Sequence, residues 1–122
     1  MLKETTRVKS FKYAFSGLTH AFTTQKNFQV QLVFAVAVVV LAYVLNFSRG
    51  EWMILVLMVG LVLTAELLNT VVEIVVDLAV KEKLLPEAKI AKDVSAAAVL
   101  LISIVSVVVG LLLFLPHFTS LR

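Results

Sequence analysis

Polar positions are scarce along this chain, and their placing predicts four helices. From Val30 to Phe47 the run is apolar except for Gln31 and Asn46. A second apolar run, Trp52–Ala65, is broken only by Gly60 and Thr64, and its helical pattern continues to Val80. A third, Val94–Leu115, is interrupted by Ser95, Ser103, Ser106 and Gly110. About 20 residues of α-helix cross ~30 Å of hydrocarbon, so each run can supply a membrane span. Ahead of them, Val8, Phe11, Phe15, Leu18 and Phe22 recur every three or four residues, with Lys9, Lys12, Ser16 and Thr19 mostly off that stripe. This spacing predicts an amphipathic helix lying on the membrane surface. The expected architecture is an all-α membrane protein with a single domain over residues 1–122. A surface helix at about residues 5–25 precedes spans at about 28–47, 51–79 and 88–116. Both connections are short, and Pro86 followed by Glu87 suits the first turn of the last helix.

The second span carries the polarity that most needs explaining. Glu66, Asn69, Thr70, Glu73 and Asp77 stand at offsets of 0, 3, 4, 7 and 11. At ~100° per residue these fall within an arc of roughly 100° on one helix face. A membrane helix keeps carboxylates on one stripe only where that stripe meets protein, water or a cation. Glu66 is expected within the hydrocarbon, with Glu73 and Asp77 at or just beyond the interface. Lys92 and Asp93 open the third span at the same depth. Carboxylate oxygens suit Mg²⁺, particularly when phosphates complete the coordination. A nearby lysine can balance phosphate charge. A buried Glu66 can serve as general base toward a hydroxyl presented at the membrane surface. Together these are the parts that phosphoryl transfer requires. Two other readings fit the same residues. The stripe could fix an oligomer through hydrogen bonds between subunits, or it could belong to a proton- or cation-coupled carrier. Against the carrier, the stripe stops at Glu66.

Composition and charge sharpen the picture. The chain has 122 residues, of which 61% are hydrophobic. Soluble domains average ~45–50% apolar residues, so this chain belongs to the membrane class. The absence of cysteine excludes disulfides and thiolate metal sites. No GxxxxGK loop is present, so a nucleotide would have to be held in another way. Lys3, Arg7, Lys9, Lys12 and Lys26 precede the first span, and Lys81, Lys83, Lys89 and Lys92 flank the loop after the second. Only Arg49 and Arg122 fall on the other side. This bias puts the N-terminus and the second loop on the cytoplasmic face of the inner membrane, with Trp52 as an outer interfacial anchor. The first 26 residues lack the apolar core of a signal peptide, so the first span is expected to stay in the protein. Ala96, Ser103 and Gly110 recur at heptad spacing, which favours close helix approach between subunits. A homo-oligomer is expected, and nucleic acid is not among the expected partners.

Two motifs make the chain specific. Ala65-Glu66-Leu67-Leu68-Asn69-Thr70-Val71-Val72-Glu73-Ile74-Val75-Val76-Asp77 resembles the E-x-x-N-[ST]-x-x-E-x-x-x-D signature of the prokaryotic diacylglycerol kinase family, which includes the undecaprenol kinases. Ala91-Lys92-Asp93, followed by small residues through Ala98, resembles that family's second motif, and Lys9–Gly17 is similar to its surface helix. The resemblance covers nearly the whole chain. It implies a homotrimeric bundle whose active sites lie at the cytoplasmic interface and are shared between subunits. It implies Mg²⁺-dependent transfer of the ATP γ-phosphate to the hydroxyl of diacylglycerol, giving phosphatidic acid, or of undecaprenol. In that scheme Glu66 is the general base, and Glu73 is a metal ligand that also meets ATP. Asn69 and Asp77 support the site, with Asp77 on the nucleotide side. Lys92 holds phosphate, Asp93 helps with the nucleotide, and Tyr13 and Arg7 reach ATP from the surface helix. The lipid would meet Glu66, Asn69, Ala96 and Phe15. One position departs from the pattern: Gln25 stands where the family commonly has a second metal-binding Glu. Gln25 can still offer a neutral carbonyl oxygen to the metal, and a catalytically weakened homologue is the alternative within the family.

Overall fold

The computed structural model describes residues 7–81, 83 and 85–119, with no strand among them. Its elements are α1 (Arg7–Thr24), α2 (Lys26–Val44), α3 (Arg49–Val80) and α4 (Pro86–Phe118). The last three are each long and apolar enough to cross a membrane.

A single residue separates α1 from α2. Gln25 is extended, with φ −104° and ψ 106°, and its side chain does not cap the following helix. The bend is held instead by the Gln29 side-chain amide, which donates to the Phe22 carbonyl at 2.8 Å. Ala21 and Phe28 are buried on either side of it. The apolar stripe of α1 is solvent-exposed in the isolated chain, with Val8, Phe11, Phe15, Leu18 and Phe22 all open. A surface to cover that stripe must come from lipid or another chain.

Helix α2 ends at Val44, short of the expected limit near residue 47. The reason is local chemistry. Asn46 adopts φ 57°, the left-handed conformation that Asn tolerates better than most residues. Its amide donates to the Tyr43 carbonyl, and the Phe47 amide donates to the Ala42 carbonyl, both at 3.1 Å. This bond pair is a Schellman ending, and it drives Phe47 back against buried Ala42. Helix α3 then begins with a capping box. The Ser48 hydroxyl accepts from the Glu51 amide at 3.2 Å, and the Ser48 amide donates to the Glu51 carboxylate at 2.8 Å. At the far end, Leu85 is extended ahead of Pro86, as a residue before proline prefers, and Pro86 occupies the first turn of α4.

Helix α3 packs most extensively on α4 and less on α2, while α1 packs chiefly on α2. The tightest packing lies beside the α2–α3 turn, where Ala42, Phe47, Leu55 and Leu113 form a buried cluster. The Phe47 ring sits 4.8 Å from both Phe114 and the stacked imidazole of His117, and edge-on to Trp52 at 6.1 Å. Trp52 thus packs into this cluster as well as marking the end of a span. Elsewhere the long helices turn most of their apolar side chains outward. A Cβ built on Gly17, Gly60 or Gly110 would meet nothing within 4 Å. Gly110 of α4 is therefore not used for close packing within one chain.

Candidate active site at the basic end of the bundle

The lysines gather at the end of the α3–α4 hairpin opposite the Phe47 cluster, and the polar stripe of α3 runs toward them. Its inner part is enclosed. Glu66 is 4% exposed and Asn69 7%, both buried. Their neighbours come from three helices. The Gln31 side chain, on α2, lies beside the Glu66 carboxyl group. The Ser95 hydroxyl, on α4, donates to Asn69 Oδ1 at 2.8 Å. The Asn69 Nδ2 donates to Glu73 Oε2, one turn along α3, at 3.4 Å. Thr70 spends its hydroxyl on the helix itself, donating to the Glu66 carbonyl at 3.0 Å. It satisfies its own polarity and leaves the neighbouring carboxylates untouched.

The outer part of the stripe is open. Glu73 and Asp77 are exposed. Lys92 crosses from α4 to Asp77, with Nζ 2.5 Å from Oδ1, and Lys89 takes Asp93 along α4 at 2.6 Å. Exposed pairs of this kind contribute about 0–1 kcal/mol, so they serve to place charge more than to hold the helices together. Beside them opens a cleft of about 620 Å³ whose lining includes Asp77, Lys81, Lys83, Lys89 and Lys92. That volume lies within the usual range for small-molecule sites.

The structure brings Glu66, Asn69, Glu73 and Asp77 together on α3 and faces them with Lys92 of α4. Asp93 lies near them but points its carboxylate to Lys89. Ala96 is exposed on α4, and Arg7, Tyr13 and Phe15 are exposed on α1. Gln25 stays at the α1–α2 bend, where its amide donates to the Thr24 hydroxyl at 3.2 Å. Among the described residues, no three His, Asp or Glu side chains gather as a metal cage within one chain. What the chain offers a hard cation is the exposed Glu73 carboxylate, a donor type that fits Mg²⁺ when phosphate oxygens supply most of the coordination. Two residues of the polar network were not singled out from the sequence. Gln31 had a signal, being one of two polar residues in the first apolar run, and Ser95 had one in its place directly after Ala91-Lys92-Asp93-Val94.

Three membrane-length helices, with a buried carboxylate on α3 and a lysine-lined cleft at one end of the α3–α4 hairpin, define a multi-pass membrane protein with a candidate site at that end. The comparisons with known proteins make the class specific. The family model for prokaryotic diacylglycerol kinase matches residues 12–114. The chain is 46% identical over 112 residues to a diacylglycerol kinase of Synechocystis, an alignment covering 92% of this chain and 64% of that protein. It is 42% identical over 108 residues to an undecaprenol kinase of Bacillus subtilis, covering 88% of this chain and 87% of the relative. A diacylglycerol kinase of Escherichia coli is 32% identical over 111 residues, with 91% and 90% covered. The chain belongs to the prokaryotic diacylglycerol kinase family, a family of membrane lipid kinases.

Proposed function

We propose that this lipid kinase transfers the γ-phosphate of ATP, with Mg²⁺, to the hydroxyl of diacylglycerol or of undecaprenol. The observation that carries this reading is the gradient along one face of α3. Glu66, 4% exposed, lies two turns from the open carboxylate of Glu73, and Lys92 sits beside the outer part of the same stripe. A buried acceptor next to an exposed charged platform is what a reaction between a membrane hydroxyl and a water-soluble phosphate donor needs. The basic end then faces the cytoplasm, where nucleotide is available, in keeping with the lysines on that side.

In this mechanism the lipid hydroxyl rests near Glu66, which takes its proton as the oxygen attacks the γ-phosphorus. The new oxygen–phosphorus bond forms as the bond to the β–γ bridging oxygen breaks, and ADP departs with the electron pair. Gln31 flanks Glu66 from α2, and Asn69 holds Glu73 from the next turn of α3. Glu73, with Gln25 as a neutral donor, would hold Mg²⁺, which would supply charge neutralisation at the phosphates. Lys92 contributes positive charge to the phosphates from the Asp77 side, and Asp93 lies one residue on. Arg7 and Tyr13 would complete the ATP site, and Phe15 and Ala96 the lipid site. Arg7, Tyr13, Phe15 and Ala96 are exposed in the single chain. A homotrimer with sites shared between neighbours would bring the surface helix of one subunit over the stripe of another. The outward-facing apolar helices supply the surface for such assembly.

The test is transfer of labelled γ-phosphate from ATP to diacylglycerol, undecaprenol and ceramide in mixed micelles. Labelled phosphatidic acid or undecaprenyl phosphate is the expected product, and the label identifies which lipid is preferred. No labelled lipid from wild-type protein of verified fold would overturn the reading. Substrate flux into liposomes without ATP consumption would point to the carrier instead.

A further inference from the structure

Ser95 is a polar side chain of the network to which the proposed chemistry gives no task. It is half-buried on α4, and its hydroxyl donates to Asn69 Oδ1 at 2.8 Å across the α3–α4 interface. Asn69 in turn donates through Nδ2 to Glu73 Oε2 at 3.4 Å. The two bonds are unequal. The first is near the optimum for a hydroxyl donor, and the second lies beyond the usual range for an amide donor. A carboxylate can only accept, so the amide must present its nitrogen to Glu73 and reserve its oxygen for a donor. Ser95 is that donor. The carboxylate sets which way round the amide stands, and the short, firm bond from Ser95 holds the Asn69 side chain in place across the interface. With the hydroxyl gone, the Asn69 amide loses the α4 anchor that keeps it beside the Glu73 carboxylate.

We propose that Ser95 is a positioning residue for the nucleotide–cation half of the site, acting on Glu73 through Asn69. The inference rests on the lipid-kinase reading and assigns Ser95 a part in it. The register of α4 supports the role. Ser95 follows Lys92 by one helical turn, so a single face of α4 makes two polar contacts with α3. The enclosed one, Ser95 to Asn69, anchors an amide in place, and the open one, Lys92 to Asp77, sets the place of a charge.

Ser95→Ala and Ser95→Thr test this in the full-length protein, alongside wild type. Three quantities are read: binding of Mn²⁺ in the presence of a non-hydrolysable ATP analogue, followed by electron paramagnetic resonance; KM for Mg-ATP against kcat; and the thermal midpoint. Loss of one oriented hydrogen bond predicts a five- to tenfold weaker Mn²⁺ dissociation constant and a similar rise in KM for Ser95→Ala, roughly. The lipid KM should move little, and Ser95→Thr, which keeps the hydroxyl, should restore most of the loss. An unchanged Mn²⁺ constant in Ser95→Ala overturns the proposal, as does a Thr variant no better than Ala. A lowered thermal midpoint with unaltered Mn²⁺ binding also overturns it, because Ser95 would then only support the fold. Wild-type protein that phosphorylates no lipid removes the kinase reading together with this one. An active wild type with an indifferent Ser95 removes this one alone.

Discussion

The two ends of α3 solve opposite problems. At the Phe47 end, polar groups find partners inside the chain. Ser48 and Glu51 cap the helix reciprocally, and Glu51 also reaches His117 of α4 at 2.8 Å. The His117 side chain is only 2% exposed and lies against the Phe47 ring. Aromatic rings fill the remaining space. At the basic end, the helix keeps Glu66 and Asn69 buried on a short network, leaves Glu73 and Asp77 exposed, and opens a lysine-lined cleft. One end is closed, and the other is open to whatever surrounds it. The packed cluster of the hairpin and the polar stripe are thus held apart by about five helical turns at Glu66 and about eight at Asp77, and a change at either end should leave the other largely intact.

The largest expected effect tests that division directly. Glu66→Gln keeps shape and hydrogen-bonding capacity but removes the proton acceptor, so kcat should fall roughly 10²–10⁴-fold. Its thermal midpoint in detergent and its oligomeric state should match wild type. A collapse of stability would show that Glu66 holds the fold, and full activity would remove it from the base role. Next in size is Phe47→Ala, which hollows the opposite cluster and should cost about 3–5 kcal/mol of stability. Turnover per folded molecule should persist, and a loss of kcat without a loss of stability would break the separation. Ser48→Ala deletes one half of the capping box and should lower stability by ~1 kcal/mol, again with activity kept. The smallest change is expected at Gln25. Gln25→Glu should lower the Mg²⁺ concentration for half-maximal rate by a few-fold, and an unaltered Mg²⁺ dependence would show that this position does not reach the metal.

The spans, the surface helix and the polar stripe were legible because each rests on a local period, which a linear reading can count. Glu66, Asn69, Glu73 and Asp77 share a face whatever α3 packs against. The rest depends on pairing between distant residues. Ser95 meets Asn69 across 26 positions, and His117 meets Glu51 across 66. No helical repeat announces either contact. Gln31 looked like a lone interruption of an apolar run until α2 was placed beside Glu66. The early end of α2 was missed for another reason: a left-handed Asn46 is a choice between turn geometries, and the apolar residues around it read equally well as more helix. Thr70, which shares the stripe's face, turned out to be occupied by the Glu66 carbonyl.

Helix α3 runs unbroken for 32 residues, roughly 48 Å, from its Ser48 cap to Val80. Glu66 is 18 residues from Ser48, which places it about 27 Å from that end whatever surrounds it. With Trp52 at the outer interface, 14 residues or about 21 Å from Glu66, the carboxylate would sit roughly 9 Å below the far boundary of ~30 Å of hydrocarbon. The helix is therefore a ruler, and the bilayer supplies the scale against which it is read. Lipids with shorter acyl chains would bring Glu66 up into the headgroup layer, and longer ones would sink it beneath the hydroxyls that it must meet, unless the bundle tilts to compensate. With Glu66 as the proposed base, catalytic alignment is a property shared between a chain of fixed length and a solvent of variable thickness.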